Sequence, residues 1–118
     1  MKSTIDISVI VPVKNESGNI APLIEEIDKA LQKINYEIIY VDDGSNDNTQ
    51  KELRKLLKVN NKLRLLIHKP SQGQSAALRS GIRSSKGILI ATLDGDGQND
   101  PADLPGMIDL IKTKKELT

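Results

Sequence analysis

The chain alternates four short apolar runs with four segments of helical spacing, and this alternation restricts the fold more than any other feature. The apolar runs occupy residues 5–11, 37–41, 63–67 and 88–93, and a helical pattern follows each of them. Because the runs are almost continuously apolar, the strands that they predict should be covered by helices on both faces. The order βαβαβαβα therefore predicts an α/β fold with a parallel, doubly wound sheet.

The first helical pattern is the strongest. Its apolar side chains fall on one face at i, i+3, i+4, i+7, i+11 and i+14, and they are Ile20, Leu23, Ile24, Ile27, Leu31 and Ile34. The second pattern is shorter, with Asp47 or Thr49 as its predicted cap. Its apolar residues are Leu53, Leu56 and Leu57.

The third helix is predicted over residues 75–85, with Gly87 at a C-terminal capping position. A fourth pattern is predicted to begin near residues 103–104, and its apolar residues are Leu104, Met107, Ile108 and Ile111. The chain stops soon after this pattern, at Thr118, without a second substrate-binding half. We therefore expect a fragment of a larger domain.

Polar segments follow the predicted strands at residues 12–17, 42–47, 69–73 and 94–100. Right-handed crossovers bring the carboxyl ends of parallel strands to one edge of the sheet, so these segments should meet there. Ligands of open α/β sheets bind at this edge, where the strand order reverses. The sequence predicts a binding site built from these segments.

Composition excludes several classes of protein. A net charge of +1 and the lack of Phe and Trp give no basis for nucleic-acid binding. No Cys is present, so disulfides and thiolate chemistry are excluded. The longest apolar runs fall far short of the roughly 20 residues that span a bilayer, and Asp6 interrupts any signal peptide. We expect a cytoplasmic chain without a membrane span of its own.

The fourth apolar run leads directly into Asp94, Asp96 and Gln98. In an extended chain these side chains project to the same side, and they offer three oxygen ligands to a hard divalent cation. The calcium loop of an EF-hand is a poor alternative, because Asn99 stands at its required glycine and Pro105 at its closing glutamate. A plain surface turn remains a second alternative.

Asp42 and Asp43 follow the second run, together with Gly44 and Ser45. Such residues are common in turns and helix caps, so this segment alone is divided between a structural turn and a binding site. Two acidic clusters at neighbouring strand ends would repel each other without a cation between them. A divalent ion bound to a diphosphate would satisfy both clusters.

Two further features are less specific. His68 has no sequence-adjacent nucleophile or metal-spaced partner, and we interpret it as a surface residue at a strand end. Small residues at 73–77 would let the third helix pack closely on the sheet, or let its N-terminus approach a phosphate, and we favour packing. The dinucleotide fingerprint and the phosphate loop are missing.

Four blocks together resemble the inverting nucleotide-sugar glycosyltransferases with a GT-A fold, and most closely their polyprenyl-phosphate (dolichol-phosphate mannose synthase-like) branch. The blocks are residues 10–16, 41–49, 73–81 and 93–101, in the family's order and spacing. The resemblance implies a Rossmann-like, mainly parallel sheet with helices on both faces. It also implies that residues 1–118 are the nucleotide-sugar-binding half of a catalytic domain.

By this resemblance, Pro12 and Glu16 lie against the nucleobase and ribose, and Asp42 accepts a hydrogen bond from the base with Asp43 and Gly44 beside it. Val13 stands in the nucleotide segment near a position where the family often has an aromatic residue. The resemblance also assigns the metal-binding, catalytic carboxylates and a further metal ligand, with the first carboxylate contacting the nucleotide as well. These residues are Asp94, Asp96 and Gln98. Gly97 replaces the usual leucine of the branch.

The implied reaction transfers a sugar from a UDP- or GDP-sugar, with Mg²⁺ or Mn²⁺ as cofactor, to a polyprenyl phosphate or, alternatively, to a cell-wall or surface glycan. The full-length protein is then expected at the cytoplasmic face of a membrane. A non-catalytic nucleotide- or metal-binding fragment is the alternative from another class. Neither the sugar, the base nor the oligomeric state follows from the sequence.

Overall fold

The computed structural model describes residues 4–94. Within this range the strands are β1 (Ile5–Val13), β2 (Tyr36–Asp42), β3 (Leu63–Ile67) and β4 (Gly87–Thr92). The helices are α1 (Ile20–Ala30), α2 (Thr49–Leu57) and α3 (Gln74–Ser84). The predicted alternation is confirmed over this range, while the predicted fourth helix lies outside the described residues.

The four strands form one parallel sheet in the order β3-β2-β1-β4. The chain runs outward from β1 through β2 to β3, and then crosses back to place β4 on the other side of β1. The strand order thus reverses between β1 and β4. This is the doubly wound arrangement that the sequence predicts.

Helices cover both faces of the sheet. On one face, α1 and α2 bury Ile24, Ile27 and Leu53 against side chains of β1 and β2. On the other face, Ala77 of α3 packs against Ile10 and neighbouring residues of β2. Because crossovers are right-handed, reversing the direction of winding after β3 moves the next helix to the opposite face. β1 and β2 are consequently buried on both sides, which explains their continuous apolar runs, whereas β3 and β4 at the sides of the described sheet stay partly exposed.

The apolar face of α1 is confirmed, although the helix is shorter than its periodicity suggests. Ile20, Leu23, Ile24 and Ile27 are buried within it. The backbone N–H of Leu31 donates to the carbonyl of Ile27 at 3.0 Å, and the helix ends there. Leu31 and Ile34 still pack on the same core, but from a turn that follows the helix.

The N-cap residue of α2 is Asn48, which makes no side-chain cap hydrogen bond, so neither predicted cap residue holds that position. Asp47 instead precedes it and contacts the first residue of the helix. Its Oδ1 accepts hydrogen bonds from the backbone N–H of Thr49 at 2.9 Å and from the Thr49 hydroxyl at 2.5 Å. Leu53 is the buried residue of the predicted apolar face, while Leu57 is 36% exposed. The contact surface of α2 is thus narrower than its sequence pattern indicates.

The prediction for Gly87 is wrong. Helix α3 ends at Ser84, and Gly87 is the first residue of β4, where it pairs with Ile5 of β1. Its N–H donates to the hydroxyl of Ser8 at 2.8 Å. Pairing with β1 therefore determines the conformation of Gly87.

A buried carboxylate joins the strands at the edge where they begin. Glu37 of β2 accepts hydrogen bonds from Ser8 of β1 at 2.6 Å, from Arg64 of β3 at 2.8 Å and from the N–H of Lys86 at 2.7 Å. Arg64 also donates to the carbonyl of Ser84 at 2.8 Å. Burial alone would raise the pKa of Glu37, but these hydrogen bonds and the charge of Arg64 lower it.

Across residues 4–94, no helix combines the length and the apolar character that crossing a bilayer requires.

Candidate functional site

A cleft of about 430 Å³ opens at the carboxyl edge of the sheet, where the strand order reverses. It is bounded by the segments that follow β1, β2, β3 and β4, together with the start of α3. The residues that line it are Pro12, Val13, Lys14, Glu16, Asp43, Ser71, Gly73, Gln74, Ala77 and Asp94. The polar segments that the sequence singled out thus meet at one place.

Five of the residues assigned to the nucleotide site line this cleft, namely Pro12, Val13, Glu16, Asp43 and Asp94. Asp42 and Gly44 are absent from its described lining. The remaining predicted metal ligands, Asp96 and Gln98, lie outside the described residues.

Sequence reasoning gave no role to Lys14, Ser71 and Gln74, which also line the cleft. Lys14 and Ser71 do lie in polar segments at strand ends, and this position could have indicated that they line a binding site. What the sequence lacked was the contact between these segments: the Lys14 ammonium donates to the Ser71 hydroxyl at 3.2 Å.

Asp43 accepts several hydrogen bonds from other described residues of the chain. Its Oδ1 accepts from the N–H of Gln72 at 2.7 Å and lies 3.2 Å from Nδ1 of His68. Its Oδ2 accepts from the hydroxyl of Ser71 at 2.6 Å and from the N–H of Gly73 at 2.9 Å. A carboxylate offers about four lone-pair sites, so these contacts occupy all of them.

The charge of Asp43 is stabilised by these contacts. Asp43 is only 5% exposed, and burial alone would raise its pKa. The hydrogen bonds from Gln72, Ser71, Gly73 and His68 outweigh burial and hold the pKa of Asp43 well below its ordinary value. The carboxylate is therefore a permanent negative charge in the wall of the cleft.

Asp42 faces the loop before α2 instead of the cleft wall. Its carboxylate accepts from the hydroxyl and the N–H of Ser45, the latter at 3.3 Å, and from Nε2 of Gln50 at 2.7 Å. Asp42 is fully buried. The resemblance gave the contact with the base to Asp42, whereas it is the adjacent Asp43 that lines the cleft.

The loops after β1 and β2 are joined side by side. The N–H of Asn15 donates to the Ser45 hydroxyl at 2.8 Å, and the Asn15 side chain accepts from the N–H of Asn46 at 2.7 Å. The N–H of Glu16 donates to the Thr49 hydroxyl at 3.0 Å. The polar residues after Asp43 therefore have a structural role, which is to hold the loop that carries Lys14 and Glu16.

Gly44 is required at its position for two reasons. Its φ of +76° lies in the left-handed region, and a Cβ placed on it would lie 3.1 Å from the backbone nitrogen of Ser71. The loops after β2 and β3 approach each other closely here. A side chain at residue 44 would require Ser71 to shift by a few tenths of an ångström.

The interpretation of His68 as a surface residue without a partner is wrong. Only 11% of its side chain is exposed, and its Nε2 lies 2.8 Å from the hydroxyl of Ser80, while Nδ1 contacts Asp43. Ser80 and Asp43 are 12 and 25 residues away along the chain, so sequence proximity gave no indication of either contact.

The favoured packing role of residues 73–77 is confirmed for Ala77, which is fully buried against the sheet. Gly73 differs, because its N–H is directed to Asp43. At the start of α3, Gln74 donates from Nε2 to Oδ1 of Asp94 at 3.4 Å. The N-terminus of α3 therefore lies between the carboxylates that follow β2 and β4.

Asp94 is half-buried at the end of β4 and shares the cleft with Glu16, Asp43 and Lys14. Among residues 4–94, no three His, Cys, Asp or Glu side chains are placed to hold a metal ion together. Of the three predicted metal ligands, Asp94 is the one within the residues that the structure describes. The other two follow it in the chain.

Comparison with known proteins gives concordant results. Residues 8–117 match the model of glycosyl transferase family 2. The chain is 37% identical over 115 residues to a dodecaprenyl-phosphate galacturonate synthase of Rhizobium johnstonii, covering 95% of this chain and 34% of that protein. It is 33% identical over 111 residues to a dolichol-phosphate mannosyltransferase of Pyrococcus furiosus, covering 94% of this chain and 31% of that protein.

Solved structures show the same fold. The mannosyltransferase PcManGT of Pyrobaculum calidifontis, in complex with GDP-Man and Mn²⁺, superposes with a TM-score of 0.76 at 23% identity, over 93% of this chain and 32% of that one. TarS 1–349 of S. aureus, in complex with UDP-GlcNAc, gives 0.72 at 23% identity, over 92% and 32%. These neighbours have the GT-A fold, which confirms the predicted fold class.

The chain spans about a third of the length of the curated relatives that it matches. Its parallel sheet, the cleft at the reversal of strand order and the family match over residues 8–117 agree with one another. The chain belongs to glycosyl transferase family 2 and is homologous to polyprenyl-phosphate glycosyltransferases.

Proposed function

We propose that the protein is a metal-dependent, inverting glycosyltransferase that moves a sugar from a UDP- or GDP-sugar to a polyprenyl phosphate. Residues 1–118 form the half of its catalytic domain that binds the donor nucleotide. The observation that carries this proposal is the position of Asp43 and Asp94, which line one cleft from either side of the reversal of strand order.

The size and the lining of the cleft support a nucleotide as its ligand. Its volume of about 430 Å³ lies within the range of about 300–1,000 Å³ that is usual for small-molecule pockets. Pro12, Val13 and Ala77 supply apolar surface for a base or ribose, and Lys14 supplies a cation near the carboxylates. Of the two neighbours compared above, one is a complex with GDP-Man and the other with UDP-GlcNAc, so the fold accommodates either base.

Asp94, with Asp96 and Gln98 after it, would hold Mg²⁺ or Mn²⁺. Mg²⁺ is commonly bound by one or two carboxylates together with phosphate oxygens, and a single carboxylate at the end of β4 fits that donor set. The ion would neutralise negative charge on the leaving diphosphate. Glu16 and Asp43, which face the same cleft, would favour a ligand that carries a cation with it.

The acceptor is proposed from the relatives, several of which are named as transferases that act on polyprenyl phosphates. An acceptor phosphate is already ionised and needs no general base, whereas a hydroxyl of a glycan would need one. A lipid acceptor would place the full-length protein at the cytoplasmic face of a membrane. The 118-residue chain alone is proposed to bind nucleotide without turnover, because it covers a third of its relatives.

Calorimetry tests the proposal directly. UDP or GDP should bind when Mn²⁺ or Mg²⁺ is present and should raise the melting temperature. Asp96→Ala should abolish this binding, while Glu26→Ala, on the exposed side of α1, should leave it unchanged. Nucleotide binding of equal strength without metal, or unchanged binding by Asp96→Ala, would contradict the assigned site.

A further inference from the structure

His68 lies directly behind the wall of the cleft. It follows the last residue of β3, and its ring contacts Asp43, the residue after β2, on one side and Ser80 of α3 on the other. The ring is not part of the described lining of the cleft. His68 therefore acts on a ligand there indirectly, through neighbours such as Asp43.

The hydrogen-bond partners of His68 determine which nitrogen of its imidazole ring carries the proton. The carboxylate of Asp43 is ionised and can only accept, so Nδ1 of His68 must carry the proton that bridges the 3.2 Å contact. In the neutral ring Nε2 then accepts a hydrogen bond from the Ser80 hydroxyl at 2.8 Å. Both nitrogens are used, and the ring is held between β2 and α3.

The other three donors to Asp43 come from one short segment, residues 71–73. This segment lines the cleft through Ser71 and Gly73. The Ser71 hydroxyl, which donates to Asp43, also accepts from the ammonium of Lys14. A continuous series of hydrogen bonds thus runs from Ser80 through His68 and Asp43 to the residues that face the ligand space.

We propose that His68 is a positioning residue of the donor site, and this inference rests on the function proposed above. His68 fixes the rotamer of Asp43, which in turn holds residues 71–73 and Lys14 in the conformation that binds nucleotide. Ser80 supports it by fixing the other side of the ring.

Two substitutions at His68 separate positioning from simple filling of space. His68→Leu keeps most of the volume but donates no hydrogen bond to Asp43. In His68→Asn, the side-chain amide nitrogen stands the same number of bonds from the backbone as Nδ1, so it can still donate to Asp43 but cannot reach Ser80. Arg64→Met is the matched control, because Arg64 lies on β3, the strand that precedes His68, and binds the buried Glu37 at the opposite edge.

Two measurements on the full-length protein are needed. Hydrogen–deuterium exchange without ligand follows the peptide spanning residues 69–74, and calorimetry with Mn²⁺ and UDP or GDP follows affinity. In His68→Leu we expect faster exchange of this peptide and affinity about tenfold weaker, which is the loss of one hydrogen bond to a charged group. His68→Asn should restore most of both, and Arg64→Met should lower the melting temperature while changing neither.

The proposal is overturned if His68→Leu leaves exchange of residues 69–74 unchanged, or if His68→Asn behaves like His68→Leu in both measurements. If His68→Leu fails to fold, Ser80→Ala decides: faster exchange of residues 69–74 than in the native protein supports positioning, and native-like exchange counts against it. If the native protein binds no nucleotide, the proposed function fails while the exchange experiment still tests the link from His68 to residues 71–73.

Discussion

The hydroxyl of Ser8 donates a hydrogen bond of 2.6 Å to Glu37 Oε2 inside the sheet, at the edge opposite the cleft. Ser8 and Glu37 are register partners on β1 and β2, and both are almost completely buried. With Arg64 from β3 and the N–H of Lys86 before β4, this contact connects all four strands.

Glu37→Ala should therefore destabilise the protein strongly. The substitution leaves the Ser8 hydroxyl, the Lys86 N–H and part of the Arg64 guanidinium without their acceptor, at a cost of about 3 kcal/mol in the free energy of unfolding. Urea denaturation monitored by circular dichroism measures this. Glu26→Ala on the exposed side of α1 is the control and should change stability by less than about 0.5 kcal/mol. Equal effects of the two substitutions would show that the buried contacts contribute nothing.

The same carboxylate should make stability depend on acid pH. The folded protein lowers the pKa of Glu37 below its ordinary value of 4.5. The stabilisation is then fully present above pH 4.5 and is lost as the pH falls through the lower, folded-state pKa. The difference in unfolding free energy between the native protein and Glu37→Gln should be largest near neutral pH and should shrink below pH 4.5. A difference that stays constant down to the acid unfolding transition would contradict this assignment.

Gly44 and Gly18 offer a matched test of the close approach between two loops of the cleft. Both have positive φ, +76° and +90°, so Ala at either position meets left-handed strain of about 1 kcal/mol. Only at Gly44 would the new Cβ contact Ser71, at 3.1 Å from its nitrogen, whereas nothing lies within 4 Å at Gly18. Gly44→Ala should be the more destabilising in thermal unfolding, and it alone should weaken binding of UDP or GDP with Mn²⁺. Equal losses of stability, with nucleotide binding unchanged in both variants, would show that Ser71 moves without cost.

The two tyrosines of β2 should respond oppositely to removal of their hydroxyls. Tyr40 is fully buried, and within residues 4–94 its hydroxyl has no hydrogen-bond partner, while burial raises its pKa. Tyr40→Phe should leave stability unchanged or raise it by up to about 1 kcal/mol, because an unsatisfied polar group is removed from the core. Tyr36 donates to Oδ1 of Asp28, so Tyr36→Phe should cost about 1 kcal/mol. Thermal denaturation of both variants measures this, and a loss of stability in Tyr40→Phe equal to that in Tyr36→Phe would indicate a partner for Tyr40.

Local pattern was sufficient for most of the secondary structure. The burial of β1 and β2 on both faces required continuous apolar runs, and the one-sided contact of α1 required the spacing that begins at Ile20, so both left a direct trace in the sequence. The prediction for Gly87 was wrong because the local sequence does not distinguish a glycine that ends a helix from a glycine that begins a paired strand. The difference lies in β1, nearly 80 residues earlier in the chain.

The residues of the candidate site show the same difference between what the local sequence indicates and what depends on contacts with distant segments. The sequence placed acidic residues at the ends of β2 and β4, because the type of residue and its position after an apolar run are local properties. It did not determine which of Asp42 and Asp43 lines the cleft, since neighbouring side chains point in different directions and their partners come from other loops. Asp96 and Gln98 stay predictions, as they lie outside the described residues.

The sequence by itself determined the order of strands and helices, the parallel sheet and the edge at which a ligand would bind. Hydrophobic periodicity and the handedness of crossovers are enough to specify these features. Only the tertiary structure decided that Asp43 is enclosed by four donors, that His68 is buried beside it and that Lys14 reaches Ser71. These contacts join residues that are 25 to 57 positions apart, and a hydrogen bond across such a separation depends on packing that no local pattern encodes.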